Sequence, residues 1–159
     1  MSGKLAAEDD CLNCIGKVSH NASLLDMMLC NVFRVVSGFD ADIALTIYYT
    51  PDATTVKFNL ITKLMKKQCG KEEQEIINDI LASANKVNRI RNDLTHSFLH
   101  QSPTHGLERV RPRDKQSRKP FTVAYLQSST DDSMRHVLEA AHMYVQLCKK
   151  RGVPPQLIF

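Results

Sequence analysis

The sequence has no tryptophan, and its 159 residues include only six glycines and six prolines. That scarcity excludes collagen-like and low-complexity chains. No apolar run approaches the ~20 residues that a membrane-spanning helix requires, so no membrane partner is expected. Met1 to Asp10 lacks the basic-then-apolar pattern of a secretory signal, and a cytoplasmic location is the expectation. The five cysteines are odd in number, and without an export signal they read as reduced thiols rather than a disulfide framework. Cys11 and Cys14 have the spacing of half a zinc site, but no second Cys or His pair follows at finger spacing. The plainer reading is small apolar residues on a helix, with neither a metal nor a cofactor called for. A Gly-rich phosphate loop is missing as well, and no Ser-His-Asp or Cys-His pair has the local context of a nucleophilic site.

What is present fits one globular domain over 1–159. The chain is 43% hydrophobic and 24% charged, with a net charge of +4. A chain near 150 residues buries roughly 70% of its unfolded surface, enough for a sizeable core. The apolar residues recur mostly at three and four, the period of amphipathic helices. Leu12, Ile15, Val18, Ala22, Leu25, Val32 and Val36 predict a long first helix over about 11–37, capped by Asp9 or Asp10 and stopped at Gly38. The stretch 43–49, with Asp40 as a possible cap, is ambiguous between helix and strand. A Lys-rich helix follows from Asp52 and ends at Cys69-Gly70. The longest candidate runs from Lys71 to about Leu99, opening on Glu72, Glu73 and Glu75, which complement the positive end of the helix dipole. After Ser102-Pro103 the texture changes. Short strands or an extended arm are expected around 107–113 and 121–126, flanking a basic stretch 114–120. A last helix is expected over 133–150, capped within Ser129–Asp132. The fold class is therefore all-α: a four- to five-helix up-and-down bundle, with a short β-hairpin or extended basic arm before the last helix.

One residue breaks the pattern. The stripe of the fourth helix steps 77, 80, 84, 87, 91, 94, 98, and position 91 holds Arg91 where an apolar side chain belongs. An arginine in a packed seam is costly unless it is paired or lies at an interface. Beside it runs a polar stripe of Asn85, Asn88, Asn92 and His96. In a helix, Arg91 and His96 lie about 140° apart, within reach of one cleft for a long side chain.

The block Arg91-Asn92-Asp93-Leu94-Thr95-His96 resembles the motif of the HEPN superfamily: an Arg, then a polar residue often Asn, and a His five residues after the Arg, late in a bundle helix. By chance this composition yields about 0.3 Arg-x4-His pairs, and about 0.02 with Asn directly after the Arg. The expected helix order also resembles that fold over most of the chain, whereas the inserted basic arm departs from it. The resemblance implies metal-independent cleavage of RNA in a cleft between two copies of the chain, hence a homodimer. It assigns His96 to proton transfer, Arg91 to the scissile phosphate and Asn92 to orientation, and it suggests a place in a stress or defence system. An imidazole with a pKa near 6.5 suits proton transfer at neutral pH, and a planar bidentate guanidinium suits a phosphate. The alternative is a non-catalytic regulator or adaptor of the same fold that binds nucleotide, RNA or a regulatory protein partner, since fold does not settle function.

Charge distribution bears on the same segment. Residues 85–119 hold nine basic and three acidic residues, a net +6, against −2 for the rest of the chain. Arg89, Arg109, Arg111, Arg113, Lys115, Arg118 and Lys119 are the expected RNA-binding positions, contacting a polyanion in a salt-dependent way. Few aromatic residues accompany them, so sequence-specific reading is not expected.

Overall fold

A computed structural model describes residues 7–95, 98–102, 106–111 and 114–157, and over 98–120 only the course and pairing of the backbone. It shows an all-α, five-helix bundle with three strands before the last helix. The order is α1 (Glu8–Ser37), α2 (Ala41–Tyr49), α3 (Thr54–Gln68), α4 (Lys71–Thr95), β1 (Phe98–Ser102), β2 (Gly106–Arg111), β3 (Asp114–Pro120) and α5 (Val123–Arg151). Among the described residues no helix is long and apolar enough to cross a membrane.

Local chemistry accounts for the ends of the helices. At the start of α1 the Asp10 carboxylate reaches back to the Ala7 N–H at 3.1 Å, the return half of a capping box. Asp40 caps α2 by accepting from the Ile43 N–H at 2.9 Å, which settles the helix-or-strand ambiguity there. Glu73 accepts from the Gly70 N–H at 2.9 Å and so caps α4. Gly38, at φ 72°, stops α1 in the left-handed region open to glycine. At the end of α5 the Gly152 N–H meets the Lys149 carbonyl and the Val153 N–H meets the Cys148 carbonyl. With Gly152 at φ 64°, this is a Schellman stop.

Several boundaries differ from the sequence expectation, the first being α1, which starts at Glu8 rather than near Cys11 and so holds Asp9 and Asp10 in its first turn. The fourth helix ends at Thr95 rather than near Leu99, and Phe98 begins a strand. Phe98 continues the helical spacing from Leu94, but it is followed at once by Leu99 and then by three polar residues, so the run selects neither period. Of the segment 121–126, expected as a strand, residues 123–126 instead open α5. Thr122 supplies the cap: its hydroxyl accepts from the Tyr125 N–H at 3.2 Å, and its carbonyl accepts from the Leu126 N–H at 3.1 Å. The run Ser129–Asp132, expected as a cap, lies inside α5. There the Thr130 hydroxyl donates to the Leu126 carbonyl and the Ser133 hydroxyl to the Thr130 carbonyl, so these side chains satisfy themselves on their own helix. The third strand is the basic stretch 114–120 itself. β1, β2 and β3 form an antiparallel sheet in sequence order, with a register shift between Val110 and Arg111.

Two compact units divide the chain: Met1–Ala22 with Lys86–His136, and Ser23–Asn85 with Val137–Phe159. The first is built on a core of Cys11, Cys14, Val18, Leu94, Phe121 and Leu126, with Ile15, Ile90, Val123 and Tyr125 packed against it. Polar groups inside it are paired. Asn21 Nδ2 donates to Ser133 Oγ at 2.8 Å, and Cys14 Sγ donates to the Leu126 carbonyl and lies beside Thr130 Oγ1, both at 3.3 Å.

In the second unit, Lys57 is a nearly buried cation. Its Nζ lies 3.0 and 3.2 Å from the two carboxylate oxygens of Asp26, and 4.9 and 4.5 Å from the ring centroids of Tyr48 and Tyr49. Tyr48 donates its hydroxyl to the same carboxylate at 3.0 Å. Farther along, Arg151 Nε donates to Glu73 at 2.6 Å, and Nη2 donates to the Gln68 carbonyl at 2.9 Å, joining the end of α5 to the start of α4. The C-terminal tail is held at Gln156, whose carbonyl accepts from Arg34 at 3.1 Å and from the Tyr144 hydroxyl at 2.9 Å.

Candidate functional site

Those of the predicted site residues that the structure describes lie at the end of α4 and in the sheet that follows, within the first unit. Leu94 anchors the end of α4 in the core at 1% exposure, and Ile90 packs beside it. Arg91 is half-buried, whereas Asn92 and Arg89 are exposed. The seam therefore carries the arginine as its spacing predicts, but at a margin open to solvent. The guanidinium finds a partner next to it: Arg91 Nη2 lies 3.1 Å and Nε 3.4 Å from the Asn92 amide oxygen. That contact orients a planar group with five N–H donors and leaves donors for a second acceptor. Thr95 closes the turn, its hydroxyl donating to the Arg91 carbonyl at 2.9 Å.

A further contact braces this turn. The Tyr125 hydroxyl donates to Asp93 Oδ2 at 2.8 Å, and the Tyr125 ring packs against Phe121 with centroids 6.0 Å apart. Asp93 directly follows the two motif positions described, so the start of α5 holds the last turn of α4 from the side. Sequence reasoning missed Tyr125 because it placed 121–126 in a strand. The usable signal was Thr122 as a helix cap three residues before Tyr125.

His96 and Arg113 lie outside the described residues. The other arm positions are placed by backbone register. Arg109 stands opposite Lys119 on one side and Leu99 on the other; Val110 stands between Phe98 and Arg118. Arg111 pairs with Asp114 beyond the register shift, and Lys115 follows in β3. The sheet thus gathers five of the seven expected RNA-binding positions into two neighbouring strands.

The cysteine pair belongs to the core. Cys11 and Cys14 are 0% and 4% exposed, and burial raises the pKa of both thiols above the ordinary value. Among the described residues no three His, Cys, Asp or Glu side chains come together to hold a metal ion. A groove of about 290 Å³ opens over Cys14, between Asn13 and Lys17 of α1 and Gln127 and Thr130 of α5. None of the described site residues lines it. Comparison with family models, curated proteins and solved structures finds no match for this chain.

Proposed function

We propose that the chain is a HEPN-like, metal-independent endoribonuclease that acts as a homodimer in the cytoplasm. The observation that carries this reading is the Arg91–Asn92 pair: a half-buried guanidinium, oriented by an amide, at the solvent margin of the last turn of α4. Three things surround it. His96 follows Thr95 directly in the chain, the adjoining segment 85–119 is net +6, and Asp93–Tyr125 braces the turn.

In this reading His96 takes the proton from a ribose 2′-hydroxyl, and the freed oxygen attacks the adjacent phosphorus. The bond from phosphorus to the 5′-oxygen breaks, and the leaving oxygen takes up a proton from the second copy's His96 or from water. Arg91 holds the non-bridging oxygens as charge builds on them, where a preorganised donor acts most strongly. Asn92 keeps the guanidinium in place before substrate arrives. Arg89 and the strand positions Arg109, Arg111, Lys115, Arg118 and Lys119, with Arg113, hold the flanking phosphates. The register sets the backbone positions of Arg109 and Lys119 opposite each other, so two basic residues occupy partnered positions of neighbouring strands. The fold is then a HEPN-type up-and-down bundle, with its RNA-binding arm inserted before α5.

The test is incubation of the purified chain with mixed RNA in chelator. Fragments bearing 2′,3′-cyclic phosphate and 5′-hydroxyl ends are expected. A chain that binds RNA in a salt-dependent way yet never cleaves it replaces this reading with a non-catalytic RNA-binding regulator.

A further inference from the structure

The second unit exposes an apolar stripe that neither the sequence motifs nor the proposed activity uses. α2 is only nine residues long and carries apolar residues on most of its circumference. Ala44 and Tyr48 face inward and are 0% exposed, while Ile43 and Ile47 are 47% and 37% exposed. These two are four residues apart, hence on one face. Phe39, just before the capping Asp40, extends the apolar surface at 44% exposure, with its ring edge-on to Phe33 at 6.1 Å. A short helix with apolar residues on both its inner and outer faces has the pattern of a buried element, yet this one is covered on one side only.

The charge around the stripe says what covers it. Asp40, Asp42 and Asp52 are all exposed, and no lysine or arginine occurs between Arg34 and Lys57. Lys57 is not available to a partner, since it is nearly buried against Asp26 and the rings of Tyr48 and Tyr49. Every charged side chain within the segment 35–56 that carries the strip is therefore acidic.

From this we infer that the outer face of α2 is a docking surface for a basic amphipathic helix of a partner protein. Its apolar side lies along Phe39, Ile43 and Ile47, and its lysines or arginines meet Asp40, Asp42 and Asp52. Helix-in-groove recognition works through such i, i+4 anchors, and these aspartates select the partner's charge. The inference goes beyond the proposed nuclease activity and stands independently of it, because no residue of the Arg91 site takes part.

The test is fluorescence anisotropy of the full chain with two labelled helical peptides that share one leucine face, one with lysines on its polar side and one with glutamates. The lysine peptide is expected to bind, with affinity falling as salt rises, and the glutamate peptide not to bind. The double variant Ile43→Lys/Ile47→Lys changes exposed positions only and is expected to weaken binding about tenfold or more. The Asp42→Asn/Asp52→Asn variant leaves the apolar stripe intact and is expected to weaken it about three- to tenfold. Equal binding of the two peptides overturns the inference, as does unchanged binding in both variants or no binding by the parent chain. Sedimentation gives a further decisive outcome. Self-association of the parent that Ile43→Lys/Ile47→Lys abolishes would assign the stripe to a second copy of the chain and overturn the proposed partner.

Discussion

Replacing Asp26 by asparagine keeps the shape of the side chain and removes the counter-ion of Lys57. The ammonium is 8% exposed as a residue and sits 3.0 Å from the carboxylate it would lose. Leaving one member of a fully buried pair without its partner costs about 3–5 kcal/mol. The Asp26 side chain is 33% exposed, and water there softens the penalty, as do the two aromatic rings close to the ammonium. An expected cost of about 2–3 kcal/mol results, or roughly 4–10 °C in Tm for a chain of this size. Adding Lys57→Met removes the stranded charge while keeping most of the packing volume. The double variant is therefore expected to be no less stable than Asp26→Asn alone, and about 1 kcal/mol more stable if the methionine packs well. Urea unfolding of the parent, both single variants and the double variant supplies the cycle, provided the slope with denaturant stays constant. If Asp26→Asn lies within about 0.5 kcal/mol of the parent and the cycle shows no coupling, the reasoning about the buried cation is wrong.

Other consequences are equally open to measurement. Burial pushes Tyr49 and Tyr144 each up to about 12, and burial with the neighbouring Asp26 pushes Tyr48 higher still. Phenolate absorbance of the native protein at pH 11 should thus account for well under half of the four tyrosines, with the rest appearing only on unfolding. For Glu73, burial alone raises the carboxyl pKa, but the Arg151 contact and the Gly70 N–H outweigh it and hold the pKa below the ordinary 4.5. Its contribution is present above pH 4.5 and lost as pH falls through the depressed native value. Glu73→Gln should lower stability at neutral pH and make the acid limb of a stability-versus-pH curve shallower; an unchanged limb would count against the pairing. Leu94→Ala opens a cavity in the first unit's core at a site 1% exposed, and thermal or urea unfolding should show a loss of about 2–5 kcal/mol.

Helix positions were legible in the sequence wherever burial follows a single period. Val18, Leu25, Val32 and Val36 on α1, and Ile77, Ile80, Ala84 and Val87 on α4, are all buried as their spacing requires. Asp40 was legible as a cap because its role is local, three residues from the N–H it accepts. The misplaced boundaries have a different origin. Phe121 and Leu126 sit in a β-branched and aromatic run, but both are buried in one core with Cys11, Cys14 and Val18 of a distant segment, and from Val123 onward the run is helical, so tertiary packing overrides local propensity. Likewise, Ser129 to Asp132 has the composition of a cap, and nothing local reveals that Thr130 and Ser133 bond back onto their own helix. At the candidate site, Arg91 and Asn92 were legible because they break an apolar stripe. Tyr125 was not, since its tie to Asp93 joins residues 32 positions apart.

The most direct measurement is the rate of RNA cleavage in chelator by the parent, Arg91→Ala and His96→Ala chains, each confirmed folded by circular dichroism. Cleavage by the parent, and its loss in both variants by a factor of about 100 or more, is the expected result. A parent that leaves RNA intact, or a His96→Ala chain that cleaves at the parent's rate, would contradict the assignment.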